Sequence, residues 1–207
     1  METLKQHWEN IYDKKPLTDV SWYEPVPETS LSLIDEFHLP KDASIIDIGG
    51  GDSFLSEDLL KKGFLNLSVL DISGKSLERA KTRLGKNADK IHWIESNMLD
   101  FKPAHQFDIW HDRAVFHFLT DSDDQRKYID IARRSIKENG YLVLGTFSTE
   151  GPDKCSGLHV QQYSEENMIS LFQPHFQKIK CFHQNHPTPF NTFQDFLFCS
   201  FKRKQFD

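Results

Sequence analysis

Short apolar runs alternate with amphipathic stretches along most of this chain. Residues 44–48, 67–70, 91–94, 107–110 and 141–147 are mostly unbroken apolar segments, the pattern of strands covered on both faces. Between them lie segments with helical periodicity and legible ends. One covers residues 54–62. A second, over 75–84, has Ser73 as its cap and Gly85 as its stop. A third opens with Asp121, Asp123 and Asp124 at its positive end, runs to about Lys137 and is closed by Asn139-Gly140. This βαβα alternation predicts an α/β fold with a parallel sheet wrapped in helices. After Phe147 the pattern changes to a polar loop with Gly151-Pro152 and Ser156-Gly157, then a helix near 165–172. Two runs follow, 177–183 and 193–202, joined by a proline-containing turn, and they read as an antiparallel pair finishing one edge of the sheet.

Length and composition narrow this picture. The 207 residues fit one domain, and a hydrophobic fraction of 38% with 17 phenylalanines excludes low-hydrophobicity disorder. With 25 Lys+Arg against 31 Asp+Glu the formal charge is −6, so there is no general pull toward nucleic acid or anionic membrane. The one basic run is residues 202–204. No apolar stretch approaches the roughly eighteen residues of a membrane span, and the polar start METLKQHWEN lacks a signal-peptide core, so a cytoplasmic protein is expected. Cys155, Cys181 and Cys199 are odd in number and widely spaced, which reads as three free thiols and no metal site.

The most informative segment is Asp47-Ile48-Gly49-Gly50-Gly51-Asp52-Ser53, where a buried strand runs into three glycines and then a helix. Glycines there allow a sharp turn and leave no Cβ between the main chain and a bound molecule, while the helix start offers free N–H groups. Asp71 ends the next strand, 22 residues past the first glycine, the spacing at which an acid receives ribose hydroxyls. A tight turn without ligand and a helix cap at Asp71 are the plainer readings; the two features together point to an adenosine-like ligand.

The glycine turn and Trp110-His111-Asp112-Arg113-Ala114-Val115-Phe116-His117-Phe118-Leu119 after the fourth strand resemble the class I S-adenosylmethionine-dependent methyltransferases, in particular their small bacterial-type members. Three features separate the chain from a nicotinamide enzyme: Asp47 two residues before the first glycine, Phe54 where GxGxxG has its third, and the terminal strand pair. The resemblance implies a Rossmann-like, doubly wound sheet of seven strands, mostly parallel with a C-terminal antiparallel strand. It divides the single domain into a cover (1–40), a cofactor-binding core (41–147) and an acceptor-side part (148–207).

The same resemblance implies that Asp47 orients the methionine amino group of S-adenosylmethionine, that Gly49, Gly50 and Gly51 pass beneath its methionine and ribose, and that Asp71 holds the ribose diol. Asn97 stands where the family usually has Asp, and its amide oxygen would accept from the adenine N6 amino group, with Ile72 and Met98 packing on the ring.

The acceptor side has its own candidates. His111, Asp112 and His117 are the candidate bases after the fourth strand, with an Asp112–Arg113 ion pair and a packed His117 as the structural alternatives. Trp22, Tyr23 and Arg113 are the candidate acceptor contacts, Trp22 and Tyr23 from a cover over the cofactor and residues 147–159 as a facing loop. The expected reaction is methyl transfer to a small molecule, releasing S-adenosylhomocysteine. A protein lysine is the second acceptor, and a binding module without catalysis is the reading from another class.

Overall fold

The computed structural model describes residues 2–205. Among them, in chain order, are α1 (Leu4–Lys14), α2 (Glu28–Asp35), β1 (Ser44–Ile48), α3 (Leu55–Lys61), β2 (Asn66–Asp71), α4 (Gly74–Leu84), β3 (Ile91–Glu95), β4 (Phe107–Arg113) and α5 (Ser122–Ser135). The chain continues through β5 (Ile136–Phe147), β6 (Lys154–Cys155), β7 (Leu158–His159), α6 (Glu165–Phe172), β8 (Phe176–Pro187) and β9 (Phe193–Arg203). The main sheet has seven strands in the order β3-β2-β1-β4-β5-β9-β8; all neighbours are parallel except β9, which runs antiparallel to both β5 and β8. This is the Rossmann-like architecture expected, with its C-terminal antiparallel strand. No helix among the described residues is long and apolar enough to cross a membrane.

Strand alternation divides the core into two layers. In β1, Ile46 and Ile48 face the layer that holds Trp110, Tyr128 and α5, while Ile45 faces Val69, Ile109 and the α3–α4 side. The same period of two decides β4: Trp110 and Asp112 point toward α5, and His111 and Arg113 point to the opposite face. Asp47 stands opposite His111 in the β1–β4 register, so the two side chains meet at the carboxyl end of the sheet.

Three expectations need correction. The third helix stops at Ser135, and β5 begins at Ile136. Asn139, at a φ of +61°, belongs to extra strand residues where pairing with β4 shifts between Phe107 and Ile109. The loop at 147–159 contains the small β6–β7 hairpin, turned by Ser156 and Gly157, both in the left-handed region. Cys181 and Cys199 are not free thiols: they lie opposite each other in the β8–β9 ladder, Cα atoms 4.1 Å apart, and form a disulfide. Separation along the chain concealed a pairing that the hairpin register creates. Cys155 is free and buried.

Residues 1–40 carry more structure than a cover segment suggests. Thr3 and Gln6 form a capping box for α1. The helix buries none of its residues in the core and lies along α4 through polar contacts. Glu9 accepts from the N–H groups of Gly74 (2.8 Å) and Lys75 (3.3 Å), and Asp13 pairs with Lys75 at 2.7 Å. Arg79 donates to the carbonyls of Tyr12 and Lys15, both at 2.9 Å. Helix α4 thus receives a carboxylate at its positive end and fastens the other end of α1.

Candidate active site

The sheet order reverses between β1 and β4, and the loops beyond the carboxyl ends of β1 to β5 surround one cleft at that point. On one side, Gly49 and Gly51 take φ angles of +66° and +29°. A Cβ on Gly49 would run into Val115, and one on Gly50 into the Asp47 carboxylate; one on Gly51 would stand 2.5 Å from Asp71 Oδ2. Gly50 and Gly51 therefore let two buried carboxylates close against the turn, and Gly49 lets Val115 do so. Gly49 and Gly50 line the cleft, whereas Gly51 packs beneath it on Asp71 and Ser76.

Asp71 is 5% exposed at the end of β2 and accepts from the Ser73 N–H at 2.8 Å. Burial pushes its carboxyl up to about 7, against the lowering effect of the Ser73 N–H and the Ser76 hydroxyl. Ile72 and Met98 line the adjoining walls. Asn97 is there too, but its amide oxygen accepts from the Leu99 N–H at 2.9 Å and caps the short turn Met98–Asp100. The oxygen assigned from sequence to an adenine amino group is already engaged by the residue's own turn, and the amide nitrogen is the free polar atom.

Asp47 Oδ1 is 2.7 Å from His111 Nδ1, and His111 Nε2 is 2.8 Å from Ser30 Oγ on α2. With the carboxylate as acceptor, Nδ1 donates and Nε2 receives the serine proton, so both ring nitrogens are occupied. Asp52, which sequence reasoning passed over, lines the cleft between two guanidiniums: Arg79 Nε at 2.9 Å and Arg83, which also lies 4.2 Å over the Phe54 ring.

Opposite this side the cleft is aromatic. Trp8 contacts Trp22 and Phe118 edge to face, with centroids 5.9 and 5.3 Å apart, and Tyr12 meets Trp22 at 6.3 Å. Leu4, Trp8 and Tyr12 form one stripe along α1, four residues apart, facing the cleft from above. The four-residue spacing is the signal in the sequence that marks this stripe. Tyr23 lines the same space and packs on Phe54 at 6.2 Å.

Arg113 is the hub of the acceptor side. Its guanidinium donates to the Trp22 carbonyl (3.2 Å) and to His186 Nδ1 (3.2 Å), pairs with Glu24 at 3.4 Å and lies 5.2 Å over Phe196. His186 in turn donates to the Ser21 carbonyl at 2.9 Å, so the β8 end and residues 21–24 are tied to one half-buried cation. Burial, and then the Arg113 charge, push His186 down to about 4. The Cys155 thiol also faces the cleft and is pushed up to about 11 by burial, which keeps it protonated.

The structure does not bring Asp112 and His117 to the cleft. Asp112 is fully buried on the α5 face, where it receives the Tyr128 hydroxyl (2.6 Å) and the N–H groups of Val115 (2.8 Å) and Phe116 (3.1 Å). Its carboxyl folds the turn after β4, and it makes no ion pair with Arg113, which points to the other face. His117 is also fully buried, between Phe118 and Phe147, and accepts from the Phe147 N–H at 3.3 Å. Burial, and then Arg113, push it down to about 3.

Residues 46–142, slightly under half of the chain, match the methyltransferase domain family. The chain is 23% identical to EEF1A lysine methyltransferase 2 of Danio rerio over 193 residues, 85% of this chain and 76% of the relative. Among the solved structures that share the fold are two that cover nearly the whole chain. One, connected with conversion of a disulfide bond into a thioacetal group during echinomycin biosynthesis, superposes with a TM-score of 0.76 at 14% identity, covering 97% of this chain and 93% of the other. The other is the N-methyltransferase NodS of Bradyrhizobium japonicum WM9 in complex with S-adenosyl-L-homocysteine, with a TM-score of 0.69 at 19% identity, covering 95% and 98%.

Proposed function

We propose, from the premise that this chain is built as a class I S-adenosylmethionine-dependent methyltransferase, that it transfers the methyl group of S-adenosylmethionine to a small-molecule nucleophile held in the aromatic half of the cleft. The observation that carries the reading is the glycine turn closed against Asp47 and Asp71. Only residues without a Cβ fit there, and the buried Asp71 carboxylate, which accepts from the Ser73 N–H, is the acceptor placed to receive the ribose hydroxyls.

The remaining roles follow from position. Gly49 and Gly50 pass beneath the methionine and ribose, with Asp47 turned toward the methionine amino group and held by His111 and Ser30. Ile72 and Met98 enclose the adenine, and the Asn97 amide nitrogen donates to a ring nitrogen. Trp22, Tyr23 and Arg113 shape the acceptor space. Asp112 and His117 act as positioning residues that hold the turn between β4 and that space. The bound sulfonium supplies an electrophilic methyl group, so the protein's task is alignment and exclusion of water.

A protein lysine is the second acceptor, favoured by the similarity to EEF1A lysine methyltransferase 2. Titration calorimetry with S-adenosylhomocysteine and with NAD tests the cofactor: tight binding of the first alone is expected, and preference for NAD overturns the reading. Labelled S-adenosylmethionine with cell extract then tests the acceptor, since label in low-mass products supports a small molecule, label in protein supports lysine, and no turnover leaves a binding module.

A further inference from the structure

Four carboxylates line the cleft among the described residues: Glu24, Asp47, Asp52 and Asp71. Three are committed. Asp47 receives His111, Asp52 is held by Arg79 and Arg83, and Asp71 accepts from the Ser73 N–H and is the ribose acceptor of the cofactor reading. Glu24 differs, because its one partner is Arg113 at 3.4 Å, an ion pair without hydrogen-bond geometry, and its carboxylate accepts no hydrogen bond. It stands directly after Trp22 and Tyr23, on the aromatic side. Among the other titratable groups facing that space, His111 has both nitrogens bonded, the Cys155 thiol stays protonated, and burial drives the Tyr12 phenol well above its ordinary range.

Resting on the methyltransferase reading above, we infer that Glu24 is the acceptor-side catalytic carboxylate and that the acceptor is an amine, bound as its ammonium ion between Glu24 and the aromatic wall of Trp8, Tyr12 and Trp22. Aromatic faces attract a cation without donating or accepting a hydrogen bond, and a carboxylate beside them selects an ammonium over an alcohol. An ammonium has no lone pair, so methyl transfer requires its deprotonation first. Glu24 takes one proton, giving the neutral amine and a carboxylic acid. The nitrogen lone pair then forms the C–N bond while the C–S bond breaks, its electron pair leaving with the sulfur of S-adenosylhomocysteine. The product is a methylated ammonium.

The surroundings of Glu24 suit that cycle. Burial raises its carboxyl, while Arg113 and His111 on β4 oppose the rise and Glu28 on α2 adds to it. The side chain keeps 25% exposure, through which the proton returns to solvent.

The test uses the full chain saturated with S-adenosylhomocysteine and two probes of equal length, n-butylammonium and n-butanol. Butylammonium is expected to bind at least about tenfold more tightly than butanol, and Glu24→Gln to abolish that difference while S-adenosylhomocysteine affinity stays within about twofold. Equal binding of both probes by the unaltered protein overturns the inference, and needs no variant; so does a Glu24→Gln protein that keeps the preference. Failure of the unaltered protein to bind S-adenosylhomocysteine overturns the cofactor reading instead, so the two failures are distinguishable. Repeating the titration with Nα-acetyl-lysine methylamide and with poly-lysine separates a free amine from a side chain on a polypeptide.

Discussion

On the cofactor side of the cleft, Asp47, Gly49, Gly50, Gly51 and Asp71 fall within 25 consecutive residues, on two adjacent parallel strands and the turn between them. On the acceptor side, Trp8, Glu24, Arg113, Cys155 and Phe196 arrive from α1, the segment before α2, β4, β6 and β9. The first half is a local device. Its geometry follows from a strand, a glycine turn and a helix, and its residues are constrained by one another, as the close approach of Gly51 to Asp71 shows. The second half is an assembly of pieces held around Arg113, and its chemistry can change with any of them. One side is therefore fixed by its own local geometry, while the other can be altered one element at a time.

The largest effect expected from breaking this division comes from Gly51→Val. The new side chain meets the Asp71 carboxylate and Ser76 at a backbone φ that β-branched residues avoid, so S-adenosylhomocysteine affinity should fall by about 3 kcal/mol or more in a protein with native circular dichroism. Unchanged affinity by calorimetry would reduce the glycine run to an ordinary turn.

Asp71→Ala comes next, with a loss of roughly 1.5 to 3 kcal/mol in affinity, the range for hydrogen bonds to a charged group. The pH dependence sharpens the point. Burial raises the free Asp71 carboxyl to about 7, and ribose hydroxyls favour the ionised form. Binding then releases a proton, and affinity rises from pH 6 to pH 8 in the unaltered protein. Titration in buffers of different ionisation enthalpy measures that proton, which Asp71→Asn should eliminate.

His117→Gln tests the claim that this histidine is part of the scaffold. Its folded-state value lies near 3, below that of the unfolded chain, so the unfolded state binds the extra proton and stability is lost as pH falls below about 6.5. Urea denaturation between pH 7 and pH 5 should cost the unaltered protein about 1 to 2 kcal/mol more than the variant, with cofactor affinity equal in both. An effect on affinity without one on acid stability would return His117 to the cleft.

Trp22→Ala should have the smallest effect on cofactor binding, less than about threefold. Hydrogen exchange in residues 17–27 should nevertheless speed up, because the Trp22 ring is what joins this segment to Trp8 and Tyr12 on α1. S-adenosylhomocysteine should slow exchange there in the unaltered protein. Equal exchange with and without ligand would leave the segment as fixed packing and not a cover.

The comparison also marks what could be read in advance. The βαβα order, the terminal antiparallel pair and the glycine turn with its two acids were visible because each is encoded by a short local signal: an apolar run, a cap, a glycine run, an acid at a fixed offset. The acceptor side was partly misread for two reasons. Which β4 residues face the cleft depends on strand phase, which separates His111 and Arg113 from Asp112 only once Asp112 packs against Tyr128 on α5. The role of Glu24 depends on what every other carboxylate in the cleft is bonded to, which no spacing records.

The sequence by itself determined the sheet and the glycine turn, since those follow from local conformational preference and from burial patterns of period two and 3.6. Only the tertiary structure decided that Cys181 meets Cys199, that α1 roofs the cleft through Glu9 and Arg79, and that Asp112 supports a turn while Glu24 lies beside Arg113 in the cleft. Those outcomes rest on contacts between residues far apart in the chain. Their energies depend on distance, burial and competing partners, and folding sets all three at once.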